Sequence, residues 1–135
     1  MIYLTEEEFI AINELVLKRS KSESIGIQYP QGLDLVVNQP KQVVFGKELY
    51  PNIWIKAAFI IQKITKKHIF VDGNKRTALL SGLTFLSMNG IELDFSADDG
   101  ESLILDVTNS SDNDAIMVSL AEWLKSHSQT QKNLS

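Results

Sequence analysis

Nine consecutive residues, His68-Ile69-Phe70-Val71-Asp72-Gly73-Asn74-Lys75-Arg76, concentrate the reactive side chains of this chain in one place. An imidazole can take a proton near neutral pH, and a carboxylate can hold a divalent cation. A glycine turn at a helix start exposes backbone N–H groups to an anion, while Lys and Arg neutralise phosphate oxygens. Together these are the requirements of phosphate chemistry. Lys75 and Arg76 add a second clue. Cations in a first helical turn oppose the macrodipole at about 0.3–1 kcal/mol each, a conflict that a bound anion would remove.

Each residue also has a plainer use. A loop histidine is usually solvated, Phe70 can be a core anchor, Asp72-Gly73 is a common turn pair and Asn74 can be a cap. Other motif chemistries are missing. Neither GxxxxGK(S/T) nor GxGxxG occurs, and no GxSxG elbow is present. With only the two histidines His68 and His127 and no cysteine, no thiolate zinc site, disulfide or cysteine nucleophile is possible. Asp72 and Asn74 alone do not make a calcium loop.

The elements around the run must position it. At 135 residues, 44% of them hydrophobic, the composition is that of an ordinary globular protein. One domain over residues 1–126 is expected, followed by a polar tail, 127–135, that should fray. Thr5 can cap a first helix with Glu8 at capping-box distance, and Phe9, Ile12 and Val16 recur at helical spacing as far as Arg19. Residues 25–32 read as irregular and 33–38 as a short helix ended by Gln39-Pro40. Val43, Val44, Phe45, Gly46, Lys47, Glu48 and Leu49 read as a small hairpin or extended flap. Pro51 suits the first position of a helix running to Lys66, with Ile53, Ala57, Ile60 and Ile64 facing inward. Residues 77–88 are apolar almost all round, which predicts a helix at the centre of a bundle, stopped by Asn89-Gly90. Asp98 or Asp99 can cap a further helix, and Ser111-Asp112 a last one. The fold class expected is all-α, a helical bundle with one short β excursion.

Net charge is −4 and the sequence pI about 5.1. A direct nucleic-acid binder would carry a basic excess, so none is expected as partner. Lys63, Lys66 and Lys67 read as a solvated helix face. No apolar run approaches the length of a membrane span, the start lacks a basic signal-peptide region, and the absence of cysteine fits a reducing cytoplasm.

The run resembles the signature of the Fic/Doc superfamily, HPFx(D/E)GN(G/K)R in broad form. The likeness extends to Tyr3-Leu4-Thr5 and Glu8, to Phe45-Gly46 with Leu49-Tyr50-Pro51, and to Thr77-Ala78-Leu79. The resemblance implies a Fic-type helical bundle that moves a phosphate-containing group from a nucleotide to a protein hydroxyl. Three departures select a branch. Ile69 stands where most Fic proteins have proline. Lys75 stands where AMP-transferring members have glycine, and Leu79 stands where they have a second arginine. The last two are features of the Doc branch, whose members bind ATP in the reverse sense and pass its γ-phosphate to a threonine of elongation factor Tu.

That resemblance implies roles. His68 would be the general base and Asp72 would hold Mg²⁺ against the phosphates of ATP. Gly73 and Asn74 would supply the anion cradle, Lys75 and Arg76 would clamp phosphate oxygens, and Phe70 would fix the loop. Residues 43–49 would dock the target as an added strand. The self-inhibitory (S/T)xxxE(G/N) motif of many Fic enzymes is absent, so restraint would come from a Phd-like antitoxin. AMP transfer with an atypical cradle, and a catalytically inactive binding member of the family, are the alternatives.

Overall fold

The computed structural model describes residues 1–129, and these form six α-helices and one small hairpin. The all-α expectation therefore holds. Helix α1 (Glu6–Arg19) opens with the expected capping box: Thr5 Oγ1 accepts the Glu8 N–H, and Glu8 Oε1 accepts the Thr5 N–H. Helix α2 (Pro30–Asn38) starts three residues before the sequence suggests, because Pro30 serves as its first position. A short 3-10 turn, Gln39–Lys41, then leads into strands β1 (Val43–Val44) and β2 (Lys47–Glu48). Val43 pairs with Glu48 and Val44 with Lys47, antiparallel.

Helix α3 (Ile53–Lys67) is the axis of the molecule. Residues 56–62 are buried without interruption, and the helix touches α2, α4 (Asn74–Met88), α5 (Ala97–Asn109) and α6 (Asp114–Ser126). The sequence assigned that central place to the following helix, but α4 keeps several half-buried positions. Pro51 lies outside α3; Asn52 caps it instead, accepting the Ile55 N–H at 2.9 Å. Corrections of the same kind apply further on. Ser96 caps α5, which leaves Asp98 and Asp99 in its first turn, where they complement the dipole. Asn113 caps α6. Asp112 is engaged elsewhere, accepting Lys63 Nζ at 2.5 Å and lying 3.6 Å from Lys67 Nζ. Lys66 Nζ donates to the Thr108 carbonyl at 2.8 Å. The three lysines thus brace α3 against the α5–α6 corner and are not a freely solvated face.

The chain after α6 departs from expectation too. Residues 127–129 are not frayed: the Asp94 N–H donates to His127 O, and the Gln129 N–H to Glu92 O. His127 stacks on Trp123 with ring centroids 3.8 Å apart, which holds this return segment against the bundle. The rest of the tail lies outside the described residues. Among the described residues, no helix is long and apolar enough to cross a membrane.

Candidate active site

The reactive run is a loop between the end of α3 and the start of α4, and neighbouring segments hold it from several sides. His68 ends α3 in the left-handed region, φ 49° and ψ 58°, a cap that glycine or asparagine usually supplies. A non-glycine residue there costs of order 1 kcal/mol, and the reversal turns its side chain outward while Ile69 and Phe70 enter the core. Ile69 O accepts the N–H groups of Gln28 and Tyr29, at 2.8 and 2.9 Å. The Val71 N–H donates to Gly26 O at 3.0 Å, and Ile27 bridges to Phe70. The stretch that looked irregular in sequence is therefore the strand-like partner of the motif.

Asn74 closes the loop on itself. Its side-chain oxygen accepts the Phe70 N–H at 2.9 Å, and its amide nitrogen donates to Phe70 O at 2.8 Å. The side chain of Asn74 is thus committed to loop shape, and only its backbone N–H is left to face an anion. Gly73 caps α4 with φ 74°; a Cβ at that position would meet Leu17 Cδ2 at 3.1 Å, so α1 packs directly on the turn. Helix α4 begins at Asn74, three residues earlier than the apolar pattern suggests. This puts Asn74, Lys75 and Arg76 in its first turn, where amides lack partners within the helix.

Asp72 stands at the mouth of this turn. Its Oδ2 accepts Ser22 Oγ at 2.7 Å and its Oδ1 accepts the Gly73 N–H at 2.8 Å. The Ser22 hydroxyl, and then the Gly73 N–H, hold its carboxyl below the ordinary carboxylate range. Both oxygens keep unused acceptor capacity. Among the described residues there is no cluster of three or more metal-binding side chains. A carboxylate of this kind fits Mg²⁺ held by one protein ligand, with phosphate oxygens and water completing the shell.

His68, Asp72, Gly73, Asn74, Lys75 and Arg76 all line one open cleft of about 640 Å³. Lys75 and Arg76 are exposed and have no ion-pair partner among the described residues, so their charge is free for an anionic ligand. Phe70, at 1% exposure, turns wholly inward beside the equally buried Ile69 and serves as an anchor. The hairpin residues do not line this cleft.

Sequence reasoning missed Ser22, which binds Asp72, and Asn13, whose Nδ2 donates to Asp72 O at 2.9 Å and to Thr77 Oγ1 at 3.1 Å. Asn13 carried a visible signal, a polar residue on the buried face of α1 beside Phe9, Val16 and Leu17. Ser22 carried none, lying in a polar loop whose contact is made across fifty positions of chain.

Comparison with known proteins covers the same stretch of chain. A family model described as Fic/DOC family matches residues 3–86. A relative named Toxin Doc, from Mycolicibacterium smegmatis, is 44% identical over 92 residues, which cover 66% of this chain and 71% of the relative. A relative named Protein kinase doc, from Escherichia phage P1, is 29% identical over 93 residues, covering 69% of this chain and 72% of the relative. With residues 3–86, the motif loop among them, matched, the chain belongs to the Fic/DOC family.

Proposed function

We propose that this protein is the toxin of a toxin–antitoxin pair and transfers the γ-phosphate of ATP to a threonine hydroxyl of a translation factor, elongation factor Tu by family resemblance. The observation that carries the reading is one cleft holding an outward imidazole, a carboxylate of lowered pKa and two cations at a helix start that have no ion-pair partner among the described residues. The relatives named Toxin Doc and Protein kinase doc support it.

The chemistry follows from the residues. His68 takes the proton of the attacking hydroxyl, and its ring nitrogens are free of partners among the described residues. Lys75, Arg76 and the first-turn amides of α4 bind the phosphate oxygens, and Arg76 offers a bidentate fork. Asp72 is the residue to hold Mg²⁺, which when bound neutralises phosphate charge. Asn74 and Phe70 keep the loop in shape for this work. The departures from AMP-transferring members favour phosphate transfer. Lys75 puts a long cation where they have glycine. Leu79 faces a separate apolar pocket and brings no second guanidinium to the cleft.

The hairpin suits docking of an extended target segment in the cytoplasm, and a Phd-like antitoxin would restrain the activity. Phe45 and Gly46 form its two-residue tip with φ of 51° and 76°, the positive pair that a type I′ turn needs. Phenylalanine is strained there and wholly exposed, at 101%. Val43, Val44 and Leu49 are exposed beside it. An apolar, strained, solvent-facing tip is a poor choice for stability and a good one for contact.

The test uses ATP labelled separately at the α- and γ-phosphates, incubated with purified translation factors. Label should pass to protein from the γ-position and not from the α-position, and His68→Ala should reduce it by about 10²-fold or more. Transfer from the α-position alone would establish AMP transfer. Growth arrest undiminished by His68→Ala and Arg76→Ala would point to a binding function.

A further inference from the structure

Four residues with hydroxyl side chains line the active cleft, Ser20, Ser22, Thr65 and Thr108. Three of the hydroxyls are committed elsewhere. Ser20 Oγ donates to Leu17 O at 3.2 Å, and Thr108 Oγ1 donates to Ile104 O at 2.8 Å. Thr65 Oγ1 is buried. Of the four, Ser22 alone turns its hydroxyl to a reactive group, its Oγ donating to Asp72 Oδ2 at 2.7 Å. The end of α1 fixes that position. The Lys21 N–H donates to Lys18 O and the Ser22 N–H to Leu17 O, the paired bonds of a Schellman motif. The motif holds Lys21 in the left-handed region, φ 58°, where glycine is usual and a lysine is strained. The Ser24 N–H donates to Ser22 Oγ at 3.2 Å. A hydroxyl oxygen has two lone pairs, so one is left over for attack.

We infer that Ser22 is a site of self-phosphorylation, and that the phosphate placed there shuts the cleft. The inference rests on the phosphate-transfer reading above and adds a regulation of the same site. Ser22 Oγ bonds to the terminal phosphorus of a nucleoside triphosphate as the bond from that phosphorus to its bridging oxygen breaks. The nucleoside diphosphate leaves with the electron pair. The hydroxyl proton passes along the existing hydrogen bond to the Asp72 carboxylate and then to water, as a kinase aspartate accepts the proton of its substrate hydroxyl. Ser22 belongs to the chain that forms the cleft, so the reaction is intramolecular and needs no target. Its product sets close to two negative charges beside Asp72, where a neutral donor stood. Repulsion replaces the hydrogen bond, and Lys75 and Arg76 in the same cleft are the cations that can pair with the new phosphate. Once paired, they are withdrawn from a fresh donor. Such a restraint acts without a partner protein.

The test incubates the full chain with magnesium and γ-labelled ATP, with no target present, and maps the label by mass spectrometry. One phosphate per chain should appear on Ser22, at a rate independent of protein concentration. Ser22→Asn removes the nucleophile but keeps an N–H donor for Asp72; thermal melting checks that it folds, and it should stay unlabelled. Wild type incubated beforehand with ATP should phosphorylate elongation factor Tu about tenfold more slowly than fresh enzyme. Ser22→Asn treated in the same way should keep the rate at which it started. Absence of label from Ser22, label on another residue in its place, or labelling that rises with protein concentration would overturn the inference. Full labelling of Ser22 with no slowing of transfer would overturn the shut-off. If Ser22 stayed unlabelled while elongation factor Tu took the γ-phosphate, the inference would fall and the phosphate-transfer reading would stand. Label reaching protein from the α-position alone would overturn both.

Discussion

The motif loop and the hairpin lie at opposite extremes of restraint. The loop at residues 68–76 is paired with 26–29 on one side, clasped internally by Asn74, tied to α1 through Asn13 and anchored in the core by Phe70. The hairpin is exposed along its whole length and has a minimal ladder. Its firmest attachment is Lys56, wholly buried on α3, whose ammonium donates to Pro40 O and lies 3.2 Å from Glu48 Oε1. That ammonium also sits 5.5 Å from the centre of the Tyr3 ring. The difference fits the two tasks proposed for them. Phosphate transfer needs groups held to a fraction of an ångström, whereas recognition of a partner strand tolerates a segment that adjusts.

Substitutions can break the contrast at either end. The largest effect is expected at Phe70→Ala, which removes a fully buried ring from the rigid side. It should cost about 3–5 kcal/mol by chemical denaturation, and a loss below 1 kcal/mol would show that the loop does not need its anchor. Lys56→Met comes next. It strips Pro40 and Glu48 of their donor at a cost of about 1–3 kcal/mol. Hydrogen exchange should accelerate at residues 43–48 while amides at 69–77 keep their protection; equal acceleration in both would mean that the two regions are not independent.

Phe45→Asn should act in the other direction. Asparagine tolerates a left-handed tip, so stability should rise by about 0.5–1 kcal/mol while phosphorylation of the target falls. Unchanged target phosphorylation would remove the docking role from the hairpin. The smallest effect belongs to Ser22→Ala, visible only in titration. Because the folded pKa of Asp72 is depressed, its contribution to stability is full above the ordinary carboxylate range. It is lost as pH falls through the lower folded value. Without the Ser22 hydroxyl the Asp72 carboxyl should titrate closer to its ordinary value, as carbon-detected NMR would show. An unmoved titration would assign the shift to the Gly73 N–H alone.

Much of this molecule could be read in advance, and the failures have a common cause. The capping box of α1, the left-handed stop at Gly90 and the hairpin were legible because their signals lie within a few neighbouring residues. Caps were misplaced by a few positions at α3, α5 and α6, because several consecutive residues there can each cap and packing chooses among them. The segment at 26–29 looked shapeless because its order comes from pairing with residues forty positions later. The same holds for the return of residues 127–129 to Glu92 and Asp94.

Residue types and spacing alone were enough to establish the all-helical class and the reactive content of positions 68–76. Protonation, charge and turn chemistry are properties of side chains and short runs. The tertiary structure decided that Asn74 would spend its side chain on Phe70, and that Ser22 would hydrogen-bond the Asp72 carboxylate. It also decided that Lys75 and Arg76 would border two cavities of opposite character. Those outcomes depend on which distant segments come to lie side by side, and only the packing of α1, α3, α4 and α5 around a shared core brings them together.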